Sequence, residues 1–218
     1  MLFHLLSKEF TLELRRKSVF SGLTLYLFST VFIYYISFNL QQNLITPLVW
    51  SALFWVTLLF TSVNTIAKSF IGEKRGEQIY YYSIASPISI ILSKIIYNFL
   101  LCLLLGAAGY GLFIVFFTNP IADVPIFALG AALTCLGFAT SLTLLSAIAS
   151  KANNSNILMA VLSFPIIIGI LLLAIKLTKN CIDGLDRSVS IDELLTLFAI
   201  NLLVVAVSYL LFPYIWRS

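Results

Sequence analysis

Charge is scarce in this sequence, and what there is lies in a few places. Asp, Glu, Lys and Arg make up 10% of the 218 residues and hydrophobic residues 61%, where a soluble domain carries about 25% charged residues. A soluble chain this apolar could not cover its own surface with polar groups. Residues 19–67, 95–122, 152–175 and 194–214 contain no Asp, Glu, Lys, Arg or His. A helix needs about 20 apolar residues to cross a hydrocarbon core of about 30 Å, so each of these windows has room for at least one crossing. The sequence therefore describes an all-α polytopic membrane protein, with six transmembrane helices in a single domain over residues 1–218.

Other absences exclude chemistry. There is one histidine, His4, in the N-terminal segment, where it is read as an interfacial side chain rather than a haem or metal ligand. Cys102, Cys135 and Cys181 form neither a C-x-x-C nor an even set, so neither a disulfide framework nor a zinc site is indicated. They are read as small buried hydrophobes. No span shows an Asp or Glu, which counts against proton-coupled transport. Asn64 and Asn201 are the most polar residues well inside spans, and helix-to-helix hydrogen bonding accounts for them. No G-x-x-x-x-G-K-[ST] loop occurs, so the chain does not bind ATP in the P-loop manner, and energy for uphill work has to come from a partner. No basic cluster alternates with exposed aromatics, which excludes nucleic acid. The net charge of +4 is assigned to loops held against anionic lipid.

What is present is a repeated alternation of apolar spans and short polar joints. Residues 1–18 read as an amphipathic interfacial helix, with Phe3, Leu6, Phe10 and Leu14 on one face and His4, Lys8, Thr11 and Arg15 on the other. Glu13 and Lys17 sit close to the apolar stripe. The segment is too charged for the core of a cleavable signal peptide, so the first span is expected to serve as the insertion signal and remain. Spans are expected at about 19–38, 47–67, 88–117, 125–149, 157–175 and 194–214. The stretch from Pro87 to Phe117 is long for one straight crossing. Its first part is placed at the interface, with Lys94 snorkelling its ammonium to the headgroups beside Lys8, Arg15, Arg16 and Lys17. Pro165 predicts a kink in span five, and residues 176–193 are read as a polar loop.

Orientation follows from the basic residues. With the N-terminus in the cytoplasm, the inner segments hold nine, Lys8, Arg15, Arg16, Lys17, Lys68, Lys74, Arg75, Lys151 and Arg217, and the outer segments three, Lys176, Lys179 and Arg187. That bias places both termini on the cytoplasmic side.

The most polar internal segment joins spans two and three. Gly72, Glu73, Lys74, Arg75, Gly76, Glu77 and Gln78 lead into Ile79 and three tyrosines, Tyr80 to Tyr82. Both charge signs followed by interfacial aromatics fit a short helix that docks a cytoplasmic protein and passes a push to the flanking spans. A plain solvated loop is the competing reading.

Taken together, the chain resembles the permease subunits of type-2 ABC exporters, and within them the haem exporter protein B (CcmB) family of cytochrome c maturation. The resemblance runs through Phe10-Thr11-Leu12-Glu13-Leu14-Arg15-Arg16-Lys17, the loop from Glu73 to Tyr82, Ser86-Pro87 leading to Ile91-Leu92-Ser93-Lys94, and Ser163-Phe164-Pro165-Ile166. Many permeases of this class place Gly, Ser or Thr, Leu and then Glu in the loop; here Glu77 follows Gly76 directly. The resemblance implies a bacterial inner-membrane subunit that is not itself an enzyme and binds no cofactor. It implies an ABC ATPase that hydrolyses ATP, a second haem-handling membrane subunit, haem as cargo, and pairing with a second copy or another membrane chain. It also makes Gly72 to Gln78 the ATPase-docking coupling helix. A structural or assembly protein without a transport cycle is the alternative; a lipid-modifying enzyme lacks the buried acid, base or metal cluster it needs.

Overall fold

The computed structural model describes residues 2–15, 17–39, 45–66, 68–71, 86–152 and 155–217, which are helical apart from short joints. In chain order the helices are α1 (Leu2–Arg15), α2 (Lys17–Asn39), α3 (Pro47–Ile66), α4 (Lys68–Ile71), α5 (Pro87–Phe116), α6 (Val124–Ala149), α7 (Ser155–Ile182) and α8 (Arg187–Arg217). Six of them, all but α1 and α4, are long and apolar enough to cross a membrane.

Three spans begin the same way, with a polar cap followed by proline. Thr46 Oγ1 accepts from Val49 N at 3.3 Å ahead of α3, Ser86 Oγ accepts from Ser89 N ahead of α5, and Asp123 Oδ1 accepts from Ile126 N ahead of α6. Pro47, Pro87 and Pro125 stand in the first turns, where a missing N–H costs nothing. These caps fix where each span begins.

Helix α6 is the centre of the bundle. Of its window 72% is buried inside the protein, against 17–50% for the other spans, and it touches α3, α4, α5, α7 and α8. Most of its buried hydroxyls are satisfied within the protein: Thr134 donates to Gly130 O at 2.8 Å and Thr140 to Leu136 O at 2.9 Å, each one turn back on the same helix, while Ser141 Oγ is buried without a partner. Gly130 lets α7 approach, because a Cβ there would lie 1.9 Å from Leu177 Cδ2.

The joint between α7 and α8 is shorter than the sequence suggests. Residues 176–193, expected as a polar loop, are helical except for 183–186. The helix that carries span five therefore continues past Ile175 to Ile182, and the helix that carries span six starts at Arg187, before Leu194. The polar side chains that imitate a loop sit on helix ends. Gly184, at φ 65°, turns the chain, with Leu185 N donating to Asn180 O at 3.2 Å across it, a glycine-closed helix end. Likewise α5 is one continuous helix from Pro87 to Phe116, with no separate interfacial piece.

Candidate functional site

The described termini of α1, α4, α5, α6 and α8 meet at one end of the bundle. Phe70 of α4, Ile90, Ile91 and Ile95 of α5, Ala147 of α6, and Phe212 and Trp216 of α8 form one buried cluster, with Leu5 of α1 packed against it. Phe212 lies 5.4 Å from Phe70 and 5.5 Å from Trp216, ring centre to ring centre. Such aromatic pairs add to the apolar burial that fastens the four-residue α4 to the spans.

Inside this cluster lies a cation. The Ser86 cap and Pro87 set the phase of α5 so that Ile90, Ile91, Lys94 and Asn98 share its inward face. Lys94 is 3% exposed. Its Nζ donates to Ser69 O at 2.8 Å and to Glu9 Oε1 at 3.3 Å, and stands 4.8 Å from the centre of the Phe70 ring. Asn98, one turn on, donates from Nδ2 to Thr143 Oγ1 of α6 at 2.7 Å and to Ser69 Oγ at 3.3 Å. Phe70 N donates to Ser146 Oγ of α6 at 3.1 Å. Helix α4 is thus held by its backbone and side chains to α5, α6 and α8, while Lys94 reaches across it to α1.

This corrects the expectation for Lys94. Snorkelling needs an open path to the headgroups, and here α1 and α4 cover the side chain. A carbonyl, a carboxylate and an aromatic face supply what water would have supplied. Removing one partner of such a buried pair costs about 3–5 kcal/mol, yet replacing the pair by well-packed apolar groups is often neutral. Stability therefore gives a weak reason for a lysine here.

The other expected interface residues divide. Lys8 is half-buried on α1, 3.2 Å from the same Glu9 oxygen. Arg15 ends α1 and Lys17 begins α2, and His4 is exposed. Arg16 and the expected docking residues Gly72, Glu73, Lys74, Arg75, Gly76, Glu77 and Gln78 lie outside the described residues. Glu9, Ser69, Asn98, Thr143 and Ser146 were not legible as site residues. The pair Lys94 and Asn98, four apart in an apolar helix, was the available signal.

The opposite end is built from exposed joints. Cys181 O accepts from Ala122 N and Asp123 N, at 3.0 and 3.3 Å. Arg187 holds Asp123 with both Nε, at 2.8 Å, and Nη2, at 3.4 Å. The hydrogen bond from Arg187 lowers the Asp123 carboxyl below the usual range; desolvation opposes the shift and the Ile126 amide adds to it. An acid does lie within a candidate span, against the sequence expectation: Glu193 of α8 is 3% exposed and pairs with Lys176 of α7 at 2.6 Å. Its second oxygen, Oε2, is buried without a hydrogen-bond partner. Among the described residues no three His, Cys, Asp or Glu side chains gather as a metal site would require. Cys102, Cys135 and Cys181 are free and buried.

The arrangement at the first end is suited to holding helices in register rather than to proton transfer or bond cleavage: Lys94, Glu9, the Asn98 amide, Ser69 and Ser146 each bond to another helix. Compared with known proteins, residues 1–213 match the family model described as CcmB protein. No curated protein and no solved structure matches the chain.

Proposed function

We infer the function from one premise: the chain belongs to the CcmB protein family, the membrane component of haem transport in c-type cytochrome biogenesis. On that premise it is the permease subunit of an ABC-type complex in a bacterial inner membrane, with both termini cytoplasmic. A separate ATPase supplies the energy, and a second membrane subunit handles haem. The family match over nearly the whole chain carries this reading. The buried end of the bundle supports it, because α4 is anchored to α5, α6 and α8 directly before the segment Gly72 to Gln78, where a motor's push would enter.

Haem is the cargo of the complex, and this subunit acts in releasing the loaded haem chaperone rather than in conducting haem. Axial ligands for haem would be His, Met, Cys or Tyr. Cys102, Cys135 and Met159, candidates at depth, are 0%, 1% and 3% exposed and packed into the core, which leaves tyrosines such as Tyr26 and Tyr209 as the accessible ones.

The test is co-purification. Tagged wild type and a Glu73→Ala/Lys74→Ala/Arg75→Ala variant are solubilised gently and their partners identified by mass spectrometry. A P-loop ATPase present with wild type and lost with the variant is the expected outcome. An intact wild type that brings down no ATPase would remove the energy source and favour a structural or assembly protein.

A further inference from the structure

The lysine in the middle of the anchored end has a geometry that stability does not explain. Lys94 is the point where three separate pieces of chain meet: α1 through Glu9, α4 through Ser69 O and the Phe70 ring, and α5 on which it stands. Further polar ties of α4 run to α5 through Asn98 and to α6 through Ser146. Glu9 is 85 residues from Lys94 in sequence and 16% exposed, so α1 is drawn against the bundle by a charge at its inner edge. Phe10, beside it, meets Tyr97 edge-on at 5.1 Å, three residues beyond Lys94. Helix α1 thus meets α5 at Lys94 and Tyr97, besides the apolar packing of Leu5, and its polar contact at Lys94 is shared with α4.

We propose that Lys94 is a positioning residue for energy transduction, joining the interfacial helix α1 to α4 and α5 so that the three move as one body. Resting on the exporter reading above, this adds a residue and a mechanical role to it. A displacement of α4 pulls on Lys94 through Ser69 O, and Lys94 transmits it to α1 through Glu9. An apolar residue of similar volume fills the same space, keeps the Phe70, Ile91 and Tyr97 packing, and cannot transmit the displacement. Loss of the contact should leave partner binding and ATP hydrolysis in place while separating them from the work done.

Two versions of the complex are purified from cells whose only copy is the variant: Lys94→Met and Glu9→Gln. For each, the amount in the membrane, the ATPase retained, ATP hydrolysis, and the covalent haem carried by c-type cytochromes are measured. The expected result for Lys94→Met is ATPase retention and hydrolysis within about twofold of wild type, with haem attachment down by about tenfold, in the range of a moderate coupling free energy. Glu9→Gln, which leaves Ser69 O and the Phe70 ring in place, loses less. Normal haem attachment in Lys94→Met overturns the proposal. So does a parallel fall of hydrolysis, retention and haem attachment, which marks Lys94 as structural. If Lys94→Met does not accumulate, Glu9→Gln decides, and wild-type haem attachment per ATP hydrolysed in that variant overturns the proposal. Wild-type complex without any ATPase overturns the exporter reading and this role with it, a result recognisable before any variant is compared.

Discussion

The two ends of the bundle hold their charges in opposite ways. At the end that gathers α1, α4 and α8, Lys94 is turned into the protein and shared by elements far apart in sequence. At the other end Arg187 and Lys179 are 66% and 43% exposed and pair with carboxylates at the mouths of the joints, Asp123 and Asp183. Exposed pairs of that kind contribute little, because water and salt compete for them. The contrast separates two uses of charge. One end uses it to fix several helices relative to each other; the other, apart from the Lys176–Glu193 pair between α7 and α8, uses it to trim loops that backbone hydrogen bonds already close.

The sharpest way to break this comparison is to reverse the buried charge. Lys94→Glu sets a carboxylate against Glu9 and against Ser69 O, with only Lys8 among the described residues left on Glu9 to offset it, and should cost on the order of 3–5 kcal/mol, read as a large loss of folded protein in membranes and a lower melting temperature in detergent. Survival of that variant at wild-type levels would mean the first end tolerates charge as loosely as the second. Next in size is Lys176→Met. It lies at the exposed end, but it strips the partner from Glu193, which is 3% exposed with its other oxygen already unsatisfied. It should lower the melting temperature more than Arg187→Ala, and equal shifts would show that burial of the carboxylate does not decide the outcome.

The smallest effect belongs to Arg187→Ala, and acid should erase it. The Asp123 carboxyl is lowered in the folded protein chiefly by its hydrogen bond from Arg187. A lowered carboxyl contributes stability above the ordinary aspartate value of about 3.9, and that stability fades as pH falls through the folded value. The difference in melting temperature between wild type and Arg187→Ala should therefore be constant near neutrality and shrink below about pH 4. A difference that persists in acid would assign the effect to lost packing of the arginine stem.

Much of the fold was legible because long charge-free windows have one physical explanation in a bilayer. Ends of spans were less so. Residues 176–193 carry loop-like side chains on helical backbone, and composition cannot tell a polar helix end from a polar loop when one glycine closes the turn. Lys94 was visible as the one charge inside a long apolar stretch, and its destination was not. Snorkelling is a local outcome that a sequence can suggest, whereas the contact to Glu9 spans 85 residues and depends on α1 folding back onto α5. Resemblance to a family carried the function, since no constellation of reactive side chains stood in the sequence to carry it.

Chain order bears on how this protein enters the bilayer. Glu9 and Ser69 are synthesised before Lys94, so the acceptors for its ammonium already exist when α5 leaves the ribosome. Asn98 has Ser69 waiting but must stand without Thr143 until α6 follows. Helix α6 carries acceptors for Thr134 and Thr140 within its own backbone. Vectorial synthesis thus supplies a lysine with its partners ahead of need, and a chain permuted to begin after α4 would present the same lysine to lipid first.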